Sequence, residues 1–568
     1  MFSRFRPKIV LEGYWKFKLD PNKKGEEEGW FNGLRTGDLI YVPSSWNEQR
    51  PQWDQYMGVA WYENEFFVPK EYDGMRVWLT FEGVSYKAKV WLNGEFLGEH
   101  EGAFTQFKLN ADKAVKFGDY NKLIVEVDNT LTKKNVPPGE GMNNTYFDFF
   151  HYGGIFRPVY VEFTNPDYIE DLTVITDHKG LLKVDITVVG EGRLIVKLTL
   201  VDDEGREVYS KSVEVKKGKA TIDDHVSGVK PWSPEEPNLY TLRASLIKDN
   251  EVKDMVEENI GFRSVAVRNG RLYLNDRPIF LKGVGRHEDF PVTGKYLPGA
   301  VLIRDFYLMK ELGMNSFRTS HYPYSNAHLD LADKLGFLVI LESPMVGARE
   351  EHFTDREYIE KVKRMIEEMI KQHKNRPSVI MYSVANEPRS NVETAYDFIK
   401  ELCDHVKKLD PTRPVTFASM FHTEDKALEA VDVISLNIYL GWYKYPGEID
   451  EGVREAERIL DKVHEMYPDK PILITEFGAG AVSGFHHDPP VMWSEEYQAE
   501  FIRKYIEMLK RKEYIIGMHI WNFADFRTPQ SARRVILNRK GLFTRTRQPK
   551  LAVKIVKEEF NKIPTFLE

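Results

Sequence analysis

The chain has 568 residues, more than one hydrophobic core usually organises, so about two to four domains are expected. Hydrophobic residues at 42% and aromatics at 13% exclude a mainly disordered chain. A formal net charge of -8 with a pI near 6.1 argues against nucleic acid or an anionic membrane as the main partner, since either requires a broad basic face.

Met1-Phe2-Ser3-Arg4-Phe5-Arg6-Pro7-Lys8 leads directly into Ile9-Val10-Leu11-Glu12-Gly13, with no apolar run of the export type, so a cytoplasmic location is expected. No later stretch approaches the roughly 20 apolar residues of a membrane span. From residue 13 to about 165 the chain alternates in short strand-like bursts, such as 76–81 and 88–92, and Asn93-Gly94 supplies a hairpin turn. This predicts a jelly-roll β-sandwich over residues 1–165. Asn143-Asn144-Thr145 matches a glycosylation sequon but, without export, is expected to carry nothing. Asn165-Pro166-Asp167 punctuates the chain, and a second series of strands, including 182–188 and 194–200, predicts an Ig-like β-sandwich over 166–264.

The rhythm then changes. Short apolar strands alternate with amphipathic stretches such as 358–372, the signature of a (β/α)8 TIM barrel over 265–568. Eight strands are expected to begin near Ile279, Asn315, Phe337, Val379, Val415, Val433, Ile472 and Ile515, each followed by helix-compatible sequence. Cys403 is the only cysteine, which forbids an intrachain disulfide and Cys-cluster metal sites and fits a reducing compartment; it is expected to pack on a helix. The histidines show no His-x-x-x-His ligand spacing, so no metal and no cofactor are expected. Abundant Glu and Lys with few Gln lean toward a thermophilic source.

In a TIM barrel the catalytic groups sit where strands end. Polar residues collect there in this chain: Arg286, His287 and Glu288; Arg318, Ser320 and His321; Glu342; Asn386 and Glu387; Asn437 and Tyr439; Glu476; Trp521 and Asn522. Ser383-Val384-Ala385-Asn386-Glu387-Pro388 and Ile472-Leu473-Ile474-Thr475-Glu476-Phe477-Gly478 each close an apolar run with a lone glutamate, and a carboxylate in such a place is costly to bury unless it has work to do. Two carboxylates converging on one pocket are the means by which glycosidic bonds are hydrolysed, and a separation of about 5 to 5.5 Å gives retention at the anomeric carbon. A carbohydrate-cleaving enzyme is therefore expected. One acid must keep its proton near neutral pH while the other stays ionised beside hydrogen-bond donors.

Asn386-Glu387-Pro388, Thr475-Glu476-Phe477-Gly478 and Arg318-Thr319-Ser320-His321-Tyr322-Pro323 resemble glycoside hydrolase family 2, in which a sandwich, an Ig-like domain and a barrel follow one another. The resemblance implies that Glu387 is the acid/base and Glu476 the nucleophile, that Asn386 binds the sugar 2-hydroxyl, and that Tyr439 orients the nucleophile. Asn538-Arg539-Lys540-Gly541 resembles the Asn-x-Lys motif of the family's β-glucuronidases, which implies that Asn538 and Lys540 bind a sugar carboxylate. A uronate brings a negative charge to a pocket that already holds two glutamates, and an ammonium with an amide donor can compensate it. By the same resemblance Arg534 and Tyr443 lie near that carboxylate, Asp148 reaches the sugar from the N-terminal sandwich, His287 touches the sugar, Trp521 forms a pocket wall, and Asn437 joins the substrate-binding set. Asn437-Ile438-Tyr439-Leu440 departs from the pattern, with Ile438 and Leu440 where Arg and Tyr are usual; the departure bears on selectivity among uronates.

The expectation is thus a retaining β-glucuronidase that hydrolyses terminal β-D-glucuronides, small or oligosaccharide, by double displacement through a covalent glycosyl-enzyme. The alternatives are a β-galacturonidase or β-galactosidase on the same scaffold and, from another class, a non-catalytic carbohydrate-binding protein. Residues 347–358 are few, so only a modest loop is expected over the site, with room for bulky aglycones. The resemblance also implies a homo-oligomer, dimer or tetramer.

Overall fold

Alternating apolar residues build the first layer. In strand Arg76–Phe81 the side chains of Val77, Leu79 and Phe81 turn inward, and the antiparallel neighbour Val159–Thr164 adds Val159, Val161 and Phe163. The computed structural model describes residues 5–568. It places these strands in a four-stranded sheet packed on a six-stranded one, which contributes Trp15, Phe17, Tyr62, Val90, Leu123 and Val125 to the shared core. Asn93 and Gly94, with φ of +53° and +87°, turn strand Lys87–Leu92 into Glu95–Glu101, as the turn signal predicts. A three-stranded and a four-stranded antiparallel sheet follow over residues 168–260. They pack Leu182, Val184 and Ile186 against Val196, Leu198, Leu242 and Leu246, an Ig-like sandwich.

The third unit is a closed barrel of eight parallel strands: β1 (Leu281–Arg286), β2 (Ser316–Thr319), β3 (Leu338–Glu342), β4 (Val379–Asn386), β5 (Val415–Ser419), β6 (Ile434–Asn437), β7 (Ile472–Phe477) and β8 (Ile515–Ile520). All eight begin within two residues of their expected places. Ile279 does not open β1 because its backbone bridges to Phe566 near the C-terminus. Leu272 and Leu274, with Trp232, close the end of the barrel where the strands begin, packed on Leu281, Leu338, Val433, Leu473 and Ile516. The opposite end is left for polar side chains.

One connection departs from expectation. Between β5 and β6 there are only two 3-10 turns, His422–Glu424 and Leu428–Ala430, and no α-helix. Buried Asp425 holds this segment: its carboxylate accepts from the Ser390 and Ser419 hydroxyls and from the Ala427 N–H (2.7 Å), which competes with helical hydrogen bonding. Helix Arg356–His373 forms where the amphipathic stretch predicts it, with Asp355 accepting from the N–H groups of Glu357 and Tyr358 as its cap. Cys403 is buried on helix Thr394–Leu409.

The N-terminal sandwich reaches over the open end of the barrel. Phe150 N–H donates to the Arg527 carbonyl (2.9 Å), and Arg157 is paired with Glu288 at 2.7 Å with both side chains buried. At Gly347 (φ +64°) a Cβ would lie 2.0 Å from the Tyr146 carbonyl oxygen, so only glycine lets the two domains approach this closely. No helix among the described residues is long and apolar enough to cross a membrane.

Candidate active site

The ends of the barrel strands and one loop of the sandwich enclose a cavity of about 670 Å³. Its floor begins with Arg318 at the end of β2. This guanidinium is buried; Nη1 donates to both oxygens of Glu342, at the end of β3 (2.7 Å each), while Nη2 donates to Glu476 Oε1 on β7 at 2.5 Å. Glu342 is further satisfied by the Ser383 hydroxyl (2.8 Å) and by His321 Nδ1 (2.8 Å). Its carboxyl lies below the usual range because, although burial raises it, Arg318 and His321 outweigh burial. Burial pushes His321 down to about 4, so its imidazole is neutral at pH 7; Glu342 takes the Nδ1 proton, leaving Nε2 3.7 Å from Glu476 Oε1.

Glu476 receives a second donor, the Tyr439 hydroxyl, at 2.5 Å from Oε2. Glu387 follows the last residue of β4 with φ of +47°, a conformation that costs on the order of 1 to 3 kcal/mol in a non-glycine residue. Hydrogen bonds on either side hold it there: Glu387 N–H to the Ala418 carbonyl (2.8 Å) and Gly347 N–H to the Asn386 carbonyl (3.0 Å). Its Oε1 accepts from Asn437 Nδ2 (2.9 Å), which also donates to Asn386 Oδ1 (3.1 Å), and the Thr475 hydroxyl fixes that amide by donating to Asn437 Oδ1 (2.8 Å).

Burial pushes both glutamates up, and Glu476 reaches about 8 with the charge of Glu387 adding to burial against Arg318. The charge of one carboxyl thus bears on the titration of the other, and the two titrate as a pair. Glu476 has a guanidinium and a phenol as donors and Glu387 only an amide, so the ionised form has more hydrogen-bond support at Glu476 than at Glu387.

The outer wall comes from the segment after β8 and from the sandwich. Lys540 is buried, and its ammonium donates to the Tyr443 hydroxyl (2.7 Å) over the faces of Tyr443, Tyr439 and Trp442. It has no ion pair among the described residues, and burial lowers its pKa. Arg534, next to it, is paired with Asp148 of the sandwich: Nε lies 3.0 Å from each carboxylate oxygen and Nη2 2.8 Å from Oδ2. Asn538 Nδ2 also donates to Asp148 (2.9 Å), and Arg534 Nη2 to the Tyr443 hydroxyl (2.8 Å).

The cavity therefore brings together Asp148, Asn386, Glu387, Asn437, Tyr439, Tyr443, Glu476, Trp521, Arg534, Asn538 and Lys540. His287 is not part of its lining. Its ring lies behind Trp521 and Phe149, 4.2 Å from the ring of Phe526, and its Nδ1 lies 3.0 Å from the Tyr322 hydroxyl, because the sandwich loop and Trp521 cover the exit of β1.

Three family models match consecutive parts of the chain: the sugar binding domain of glycosyl hydrolases family 2 over residues 9–166, glycosyl hydrolases family 2 over 167–263, and the TIM barrel domain of family 2 over 265–565. The chain belongs to glycosyl hydrolase family 2. It is 38% identical to a β-glucuronidase of Sus scrofa, over 99% of this chain and 91% of that protein, and 34% identical to one of Paenibacillus borealis, over 98% and 97%. Among solved structures it resembles the β-D-glucuronidase of Dictyoglomus thermophilum (TM-score 0.92, 36% identity, 100% of this chain and 99% of that one). It also resembles the Ruminococcus gnavus β-glucuronidase in complex with uronic isofagomine (TM-score 0.94, 33% identity, 99% and 98%).

As a family 2 glycoside hydrolase, the protein shows further cavity residues outside the expected site. His321 lines it with its ring stacked on Trp521 (4.9 Å), and Arg318, beneath the lining, binds Glu476 from below. Both stand in the Arg318–Pro323 motif and at a strand exit, the signal that would have found them. Arg349, Arg389, Lys444 and Arg533 also line the cavity, and no motif marks them. Ile438 is fully buried in the barrel's hydrophobic core, pointing away from the site, whereas Leu440 lines the cavity. Just beyond the end of β6 the chain turns Tyr439 toward Glu476 and Ile438 into the core, so any effect of this departure on selectivity falls to Leu440. Residues 347–355 form no long lid; a single short helix, Glu350–Phe353, tucks His352 and Phe353 inward.

Proposed function

We propose that the chain is a retaining β-glucuronidase acting on terminal β-D-glucuronides. The observation that carries this reading is Lys540: an ammonium buried in the reaction cavity with no carboxylate paired to it, while the arginine beside it is engaged by Asp148. A buried cation without a counter-ion is costly, and a ligand carboxylate would relieve that cost with a charge-assisted hydrogen bond. A galactoside, with a hydroxyl in place of the carboxylate, would leave Lys540 uncompensated.

In the mechanism, Glu387 gives its proton to the glycosidic oxygen as the bond from C1 to the aglycone breaks, and a carboxylate oxygen of Glu476 attacks C1 to form a glycosyl ester. Tyr439 and Arg318 orient Glu476 for the attack. As the charge of Glu476 is consumed, Arg318 keeps a counter-ion in Glu342, so its guanidinium is never left alone in the barrel. Glu387, now ionised, takes a proton from water; that water attacks C1, glucuronate leaves and the Glu476 carboxylate returns. Asn386 and Asn437 serve the sugar hydroxyls, and Trp521 forms the wall beneath the ring. His287, set behind that wall, supports it rather than touching the sugar.

Comparing hydrolysis of 4-nitrophenyl β-D-glucuronide, galacturonide and galactoside tests the reading. The glucuronide is expected to be preferred; a galactoside preference refutes it, and no turnover of any of them returns the chain to the carbohydrate-binding alternative. We further infer a cytoplasmic setting, for which the lone buried Cys403 suits a reducing compartment. A thermophilic source agrees with surface networks such as Arg356 and Lys363 shared between Glu360 and Glu401. A homo-oligomer would cover Tyr14, Leu39 and Tyr41, which are exposed on the outer face of the sandwich; a monomer by light scattering would contradict it.

A further inference from the structure

On a chain of net charge -8, the reaction cavity reverses the sign: its lining holds six side-chain cations, Arg349, Arg389, Lys444, Arg533, Arg534 and Lys540, against three carboxylates. Asp148 occupies Arg534, and Glu476 is engaged by Arg318 from below. One glucuronate would balance Lys540, and the remaining four cations form no ion pair among the described residues. The contrast with the adjoining surface is sharp, because further along the chain, on helix Arg356–His373, Arg356 and Lys363 are both held by carboxylates. Glu350 and Glu351 follow Arg349 directly, yet Glu351 turns toward Lys133 instead.

Two of the four stand on the side where the aglycone must leave. The leaving oxygen is the atom that Glu387 protonates, so whatever it carries passes over the loops that follow β3 and β4. Arg389 lies two residues beyond Glu387, and its N–H donates to the Ala348 carbonyl (2.8 Å), which sets the backbones of Arg389 and Arg349 side by side. Both side chains are exposed; Arg349 is steadied by stacking on Tyr146 of the sandwich, 3.4 Å from the ring centroid. Two exposed guanidiniums on neighbouring backbones beside a leaving-group path, neither of them in an ion pair among the described residues, are donors available to carboxylate or sulfate.

We propose that Arg349 and Arg389 recognise a negatively charged aglycone, so that the preferred substrates are glucuronides whose next unit itself bears a carboxylate or sulfate. This rests on the β-glucuronidase reading and deepens it. The enzyme is assayed as the full chain on three substrates: 4-nitrophenyl glucuronide, an aryl glucuronide with a carboxylate on the ring, and an oligosaccharide ending in glucuronate on a sulfated hexosamine.

At low salt the anionic substrates are expected to have kcat/KM about tenfold above the neutral one, a preference that shrinks toward unity as ionic strength rises. The Arg349→Gln, Arg389→Gln double variant is expected to remove that preference, chiefly through KM. A gain for the sulfated oligosaccharide alone would name a polysaccharide source, and a gain for both anions a general acidic aglycone. Equal kcat/KM for charged and neutral aglycones, or a preference that survives the double variant and high salt, overturns the proposal while leaving the β-glucuronidase reading intact. Failure to cleave even the neutral glucuronide overturns both.

Discussion

On the floor of the cavity every charge has a partner within the protein: Arg318 bridges Glu342 and Glu476, His321 and Ser383 complete Glu342, and Tyr439 completes Glu476. The outer wall is less complete, since the Lys540 ammonium donates only to the Tyr443 hydroxyl, and Arg349, Arg389 and Arg533 at the mouth form no ion pair among the described residues. The difference separates two tasks. A floor satisfied in advance needs no reorganisation when charge moves during reaction, whereas a wall with surplus positive charge gains its balance only when a ligand arrives.

The comparison can be broken most severely at Glu476. Glu476→Ala is expected to lower kcat on 4-nitrophenyl glucuronide by about 10⁴-fold or more, since the covalent step is lost; residual activity near wild type would remove the nucleophile from the floor. Arg318→Met strands two buried carboxylates and is expected to cost about 3 to 5 kcal/mol in denaturant unfolding. A change below about 1 kcal/mol, the range of exposed ion pairs, would show that the floor is not held by this guanidinium.

The wall is tested by Lys540→Ala, expected to reduce glucuronide turnover roughly ten- to a hundredfold, as for a lost charge-assisted contact of about 1.5 to 3 kcal/mol, and to change slow galactoside turnover far less. Equal losses on both would make Lys540 a structural residue. Tyr443→Phe removes the neutral acceptor that Lys540 and Arg534 share and should raise KM several-fold, in line with hydrogen bonds of about 1 kcal/mol each.

The smallest effect is a shift in pH dependence. Burial raises the Glu387 carboxyl above the ordinary carboxylate range, and this proposed acid loses its proton as pH rises through that raised range, so kcat/KM should fall on the alkaline side. Glu387→Gln should flatten that limb when the leaving group needs no proton. A variant that keeps the wild-type alkaline fall would place the titrating proton elsewhere.

Much of this arrangement was readable along the chain. Most barrel strands are apolar runs with a polar residue at or beside their end, so the strand positions and the polar groups at every exit but that of β5 are legible in the sequence, and the motifs around Glu387, Glu476 and Lys540 resemble one family. The missing helix between β5 and β6 was not readable, because it depends on Asp425 meeting Ser390 from a neighbouring loop. Nor was the place of His287, whose strand exit is covered by residues from another domain. Ile438 stands where a charged residue is usual, yet it follows the end of β6 and packs into the core.

Local order in the sequence thus determined the elements, their succession and the chemical kinds of residue at the barrel mouth, because periodicity and residue chemistry are properties of neighbours along the chain. Only the tertiary structure decided which charges meet: that Arg318 joins residues 24 and 158 positions away, that Asp148 takes Arg534, and that Lys540 is left unpaired. Electrostatic pairing depends on distance and burial in space, and side chains far apart in sequence acquire both only when the domains have closed over one another.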